Sequence, residues 1–140
     1  MDERQLMYRL RVLISEEEEH QRGMTLGEMR RLRSVKLPRW LYHMIGVMIS
    51  GYHEREKAIM TKGTPAEVRE EYARINHTID GAVESACFGY EADVIAAMRE
   101  DLILDNGWRR SPSSAIFGER TFYRIKKLCY VYLAARLYLI

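Results

Sequence analysis

A chain of 140 residues with 47% apolar and 30% charged positions has the balance of a folded globular protein and excludes a disordered one. Its net charge of +2 is too small to mark a polyanion binder by itself, and no apolar run approaches the roughly 18 residues that span a bilayer. Met1-Asp2-Glu3-Arg4 leads into an amphipathic segment and not a secretory apolar region, and Cys87 and Cys129 lack motif spacing. The expectation is a cytoplasmic, reduced protein with no membrane segment.

No stretch alternates apolar and polar residues long enough for a sheet, so the fold class predicted is all-α. A first helix is expected over about 3–20, with Leu6, Leu10, Leu13 and Ile14 on one stripe and Gly23 as its break. Thr25-Leu26-Gly27-Glu28 fits a capping box for a short helix to about Arg33. Pro38 suits the first position of a longer helix over about 38–61, with Leu41, Ile45, Met48, Ile49 and Tyr52 on its inner side. Trp40 is expected to close the core at that helix start.

Thr64-Pro65-Ala66-Glu67 then reads as a start signal, with a capping hydroxyl, proline and glutamate in order. It opens a helix over about 65–86 that buries Val68, Tyr72, Ile75, Ile79 and Val83 and forms an antiparallel hairpin with its predecessor. Phe88-Gly89-Tyr90 marks a turn. A helix over about 91–104 presents Val94, Ile95, Met98, Leu102 and Ile103, and Asn106-Gly107 stops it. Ser111-Pro112 reads as cap and first position of a short helix ending near Phe117-Gly118, and a last helix runs from Glu119 to about Leu139. The organisation expected is a helical bundle over 1–88, followed by a helix-turn-helix over 89–140.

Charge is distributed unevenly. Residues 106–140 hold seven cations (Arg109, Arg110, Arg120, Arg124, Lys126, Lys127, Arg136) against the single acid Glu119. Arg30, Arg31, Arg33, Lys36 and Arg39 form a second cluster, whereas acids gather at Glu16 to Glu19 and Glu67 to Glu71. Local charge of this kind can steer a protein onto a polyanion. In the last helix Phe122, Ile125, Cys129, Tyr132, Leu133 and Leu137 recur on one side. That leaves Arg120, Thr121, Tyr123, Arg124 and Lys127 on the rest of its first turns, the part of a recognition helix that meets base edges. The bland alternative is a terminal amphipathic helix whose basic face is merely solvated.

Glu119-Arg120-Thr121-Phe122-Tyr123-Arg124-Ile125-Lys126-Lys127, followed by Leu133-Ala134 and Leu137, resembles the C-terminal helix-turn-helix of phage-encoded transcriptional regulators of the ArpU and RinA type. Those domains are similar to region 4 of sigma-70 factors. The resemblance covers roughly residues 92–138, and its specific part is Glu119 to Lys127. It implies that Arg120, Thr121, Tyr123, Arg124 and Lys127 face DNA while Phe122 and Ile125 anchor the helix. Gly118 stands where the pattern prefers serine, and the preceding Arg110 to Gly118 stretch is short and carries Pro112.

The function expected is sequence-specific binding of double-stranded DNA in transcription control of phage or mobile-element origin. Arg109, Arg110, Lys126 and Lys127 would set register on phosphates, and Arg120, Thr121, Tyr123 and Arg124 would read the major groove. RNA polymerase and a second copy of the chain are candidate partners, the latter through the 1–88 bundle. A phage DNA-packaging module of the small-terminase kind and a helical protein-interaction module are the alternatives. No enzyme is expected. His20, His43, His53 and His77 are scattered, Asp80 and Glu84 read as a solvated i,i+4 pair, and Ser111, Ser113 and Ser114 read as capping and turn residues. Neither a metal site nor a cofactor motif is legible. Trp108 is expected to pack under its turn in preference to touching a DNA backbone. Tyr130, Tyr132 and Tyr138 either form a partly exposed aromatic edge, a candidate dimer or polymerase contact, or equally close the core.

Overall fold

The structure is a computed structural model and describes residues 36–138. The expectations for the 3–20 and 25–33 helices, the Glu16 to Glu19 run and the Arg30, Arg31 and Arg33 cations lie outside the described residues, as do Leu139 and Ile140. Among the described residues every regular element is a helix and none is a strand, so the fold is all-α. No helix among them is long and apolar enough to cross a membrane.

Where the apolar pattern predicts one helix over 38–61, the chain forms two, α1 (Arg39–Ser50) and α2 (Tyr52–Met60). The break is at Gly51, whose N–H turns back to the Met48 carbonyl at 3.3 Å. Arg55 explains it. Its guanidinium donates to that same Met48 carbonyl and, through Nε, to Asn76 Oδ1 at 2.7 Å. A Cβ at position 51 would lie 2.8 Å from Arg55 Nη1, so only a residue without a side chain leaves the guanidinium this room. Asn76 is buried, and its amide donates onward to the Tyr52 carbonyl at 3.1 Å. A buried polar group is tolerated because it is bonded on both sides.

Gly63, with φ at +102°, turns the chain into α3 (Ala66–Ala86). The start signal lands one residue late: Pro65 and not Thr64 is the cap residue, and no side chain caps the helix. The Pro65 carbonyl accepts the Arg69 N–H at 3.0 Å instead. Pro38 stands in the same relation to α1, its carbonyl accepting from Tyr42 at 3.0 Å. Pairing of Tyr52 with Asp80 and of Arg55 with Asn76 makes α2 and α3 the expected antiparallel hairpin. Val68, Tyr72 and Ile75 are only half-buried, while Ile79, Val83, Ala82 and Ala86 are inside.

Gly89 (φ +90°) makes the expected turn at Phe88-Gly89-Tyr90 and leads to α4 (Ala92–Ile103). Asp80 is more than a solvated acid. It accepts from the Tyr52 hydroxyl at 2.9 and 3.1 Å and pairs with Arg99 Nη1 of α4 at 3.2 Å. Burial, then the hydrogen bond to Asp80, pushes the Tyr52 phenol up to about 12. Two 3-10 turns, Trp108–Arg110 and Pro112–Ala115, follow α4, and α5 (Glu119–Tyr138) ends the fold.

α5 is the hub. Phe122, Ile125, Cys129, Tyr132 and Leu133 are buried as their spacing predicts, and Leu128, Tyr130, Val131, Ala134 and Ala135 are buried too. A helix apolar all round has to be enclosed. Leu41, Ile45 and Ile49 of α1, Ile79 and Val83 of α3, and Met98 and Leu102 of α4 share its core, so one apolar cluster draws on residues before and after position 88. Tyr130 and Tyr132 therefore belong to the interior and not to an exposed edge. Tyr130 stacks on Tyr42 with ring centroids 4.3 Å apart and reaches Gly46, where a Cβ would sit 3.2 Å from its hydroxyl. Trp40, in contrast, is 47% exposed and does not close the core.

His53 links α2 to α4: its Nε2 lies 2.9 Å from Glu100 Oε1 and its Nδ1 2.7 Å from Glu56 Oε1. Hydrogen bonds to Glu100, then to Glu56, raise its pKa above the ordinary 6.5. A raised folded pKa means stability that is full below the unfolded value and fades as pH climbs through the folded one. His53→Gln should therefore destabilise the protein by about 0.2–1 kcal/mol near about pH 6 and by little near about pH 9, measured by chemical denaturation. Equal losses at both pH values would contradict this assignment.

Candidate nucleic-acid interface

The site is built from the end of α4. Asp105, just past it, adopts φ +52°, a left-handed conformation that aspartate tolerates better than most residues. One turn earlier Asp101 is 1% exposed. Its carboxyl group accepts from Ser111 Oγ and Ser113 Oγ and from Asn106 Nδ2 at 3.2 Å. Ser111 Oγ in turn accepts the Ser113 N–H at 2.9 Å, which makes it the expected cap, with Pro112 at the first position.

The expected helix between Ser111 and Gly118 is reduced to one 3-10 turn, Pro112–Ala115. Ile116 and Phe117 both return their N–H groups to the Ser113 carbonyl, at 2.9 and 2.8 Å. With Ser111 and Ser113 drawn in to Asp101 and Phe117 buried, the segment has length for one turn only. Trp108 packs under this turn as expected, its indole N–H donating to the Phe117 carbonyl at 2.8 Å.

α5 then opens with the Phe122 N–H on the Gly118 carbonyl at 2.9 Å. Phe122 and Ile125 are buried and fix the helix to the core. Arg120, Arg124 and Lys127 follow at i, i+4 and i+7, a single line along the outer face, with Arg120 exposed and the other two half-buried. Thr121 lies half-buried at the edge of that face. Tyr123 is 44% exposed, and its hydroxyl accepts the Trp108 N–H at 3.3 Å. That bond brings the exposed Arg109 and Arg110 beside the helix start.

Lys126 is placed differently from the rest. Its side chain is 16% exposed, with Nζ 3.2 Å from Asp105 Oδ1 and 6.0 Å from the Tyr130 ring centroid. Between the residues leading into α1 and the first turns of α5 lies a groove of about 410 Å³, lined by Lys36, Leu37, Tyr42, Tyr123, Lys126 and Lys127. Sequence reasoning singled out neither Asp101 nor Asp105. Their partners lie 5 to 21 residues away, at separations that follow no helical period.

Among the described residues no group of three His, Cys, Asp or Glu is placed to hold a metal ion. Burial pushes the Cys87 thiol up to about 12 and raises the Cys129 thiol well above its ordinary value, so neither is poised as a nucleophile. The arrangement offers a fixed cationic surface. No protein family, curated protein or solved structure matches the chain.

Asp101 is the post on which the turn before α5 hangs. Asp101→Ala should cost roughly 2–3 kcal/mol in urea unfolding, since it strands two buried hydroxyls and a half-buried amide. Asp101→Asn keeps one acceptor oxygen and should cost less. A loss for the alanine variant under about 0.5 kcal/mol, the range of an ordinary surface substitution, would refute this role.

Proposed function

We propose that this protein binds duplex DNA in a sequence-specific manner as a transcriptional regulator of phage or mobile-element type. In this reading α4, the two 3-10 turns and α5 act as a helix-turn-helix whose first helix is cut to a single turn. One observation carries the proposal. Arg120, Arg124 and Lys127 line the outer face of a helix start that Phe122 and Ile125 hold rigidly, with Arg109 and Arg110 alongside.

The roles divide by chemistry. Arg120 and Arg124 lie in the first turns, where a recognition helix meets base edges, and a guanidinium can grip guanine O6 and N7 together. Lys127, Arg109 and Arg110 neutralise phosphates. Tyr123 acts chiefly as a strut, because its hydroxyl already holds the arginine turn. Lys126, paired with Asp105, has a smaller part in DNA binding than its position in sequence suggests. The resemblance of Glu119 to Lys127 to the ArpU and RinA regulators supplies the regulatory side, with a cytoplasmic setting, no catalytic step and RNA polymerase as a candidate partner.

The test is selection of duplexes from a random pool, followed by gel-shift titration of the full chain. The phosphate contacts of Lys127, Arg109 and Arg110 imply an affinity loss of roughly 40-fold between about 50 and 200 mM salt. Arg120→Ala combined with Arg124→Ala should weaken the selected duplex by about 1–3 kcal/mol for each base that an arginine grips in the wild type. Absence of binding near about 100 mM salt, or binding indifferent to the double substitution, would refute the proposal.

A further inference from the structure

We infer that the groove between the residues leading into α1 and the start of α5 holds a phosphodiester of the same DNA duplex, with Lys36 as its clamp. The inference rests on the DNA-binding reading above and extends the interface to a part of the chain far from the helix-turn-helix in sequence.

Three features of the groove argue for it. Its walls are ordered in advance. Tyr42 is fixed by its stack on Tyr130 at 4.3 Å, and Tyr123 by the Trp108 N–H on its hydroxyl and by the edge of Phe122, 5.2 Å away between centroids. Both rings are still about two-fifths exposed, so they offer flat apolar surface to a ligand at little cost in ordering.

Its charge is cationic where a ligand would enter. Lys126 lies low in the groove, and its ammonium is already matched by Asp105. Lys36 is exposed at the rim and makes no ion pair with any described residue, and Lys127 stands on the α5 wall. With Asp105 matched to Lys126, Lys36 supplies the charge at the rim. A lysine ammonium is a compact charge with three rotatable donors, suited to one phosphate group, while tyrosine rings and Leu37 suit the sugar beside it.

Its position follows the duplex. An α-helix with side chains is about 10–12 Å across and the major groove about 12 Å wide, so an element lying beside a groove-bound helix meets the bordering phosphate row. Tyr123 adjoins both the Trp108–Arg110 turn and this groove, which puts Arg109, Arg110 and Lys36 along one flank of α5. That flank would track a single strand backbone.

The experiment is salt-dependent gel shift of the full chain carrying Lys36→Ala, on the selected duplex and on an unrelated one. Removing one phosphate-binding cation should lower the log–log salt slope by about 0.9 and weaken both duplexes about 3–10-fold at about 100 mM salt. The thermal midpoint should stay unchanged, and Lys36→Arg should restore the slope. An unchanged slope with intact wild-type binding would overturn the clamp alone and leave the DNA reading standing. A loss confined to the selected duplex would overturn it too, because phosphate contacts carry no sequence information. Absence of any wild-type binding would overturn both.

Discussion

From Leu128 to Ala135 every side chain of α5 is shut off from water, and this enclosure organises the rest of the structure. A helix that is apolar on all sides has no solvent face, so other helices have to supply walls around it. α1, α3 and α4 do so with Ile45, Ile79 and Met98, among others. Close approach is met by small residues: Gly46 admits the Tyr130 hydroxyl, and Gly81 and Ser85 on α3 make room for the Arg136 guanidinium. The enclosed half fixes the helix axis. Glu119 to Lys127 then extends roughly 13 Å beyond it, at 1.5 Å per residue, still pinned on one side by Phe122 and Ile125.

Apolar enclosure is non-directional and leaves open how the walls meet one another. Polar ties resolve that. Arg55 and Asn76 lock the Gly51 break against α3, and Tyr52, Asp80 and Arg99 join α2, α3 and α4 at one point. Asp101 with Ser111 and Ser113 does the same between α4 and the turn that feeds α5. Hydrogen bonds of this kind contribute little net free energy each but penalise every arrangement that leaves them unmade. The cationic surface is therefore held from two directions, by the core behind it and by Asp101 through the preceding turn.

Helix faces were legible in the sequence because burial imposes the 3.6-residue period on Leu41, Ile45 and Ile49, on Met98 and Leu102, and on Phe122, Ile125, Cys129 and Leu133. The break at Gly51 was not, since its cause is a guanidinium from the next helix reaching a partner 21 residues away. Trp40 was misjudged, and Tyr130 left open between edge and core, for a related reason. Periodicity gives the angle of a residue on its own helix but not how many neighbours surround that helix. At the candidate site, the cations on α5 could be read directly. Lys126 pairs with a residue 21 positions away and Tyr123 with one 15 away, and such pairings follow no period.

The cations at the start of α5 sit against local electrostatics. The N-terminal end of a helix carries a partial positive charge, so an anion there is favoured by about 0.3–1 kcal/mol and a cation opposed to a similar degree. Glu119 is the acid that obeys the rule in the first turn, while Arg120 and Arg124 follow within it and the next. Arg109 and Arg110, brought in by the Trp108–Tyr123 bond, add to the repulsion. A helix shaped by stability alone would carry acids at this end. Among the described residues Asp105 forms its ion pair with Lys126. In the DNA-binding reading proposed above, a row of phosphates would offset this repulsion, so the same cations that oppose the helix dipole would gain their counter-charge on binding.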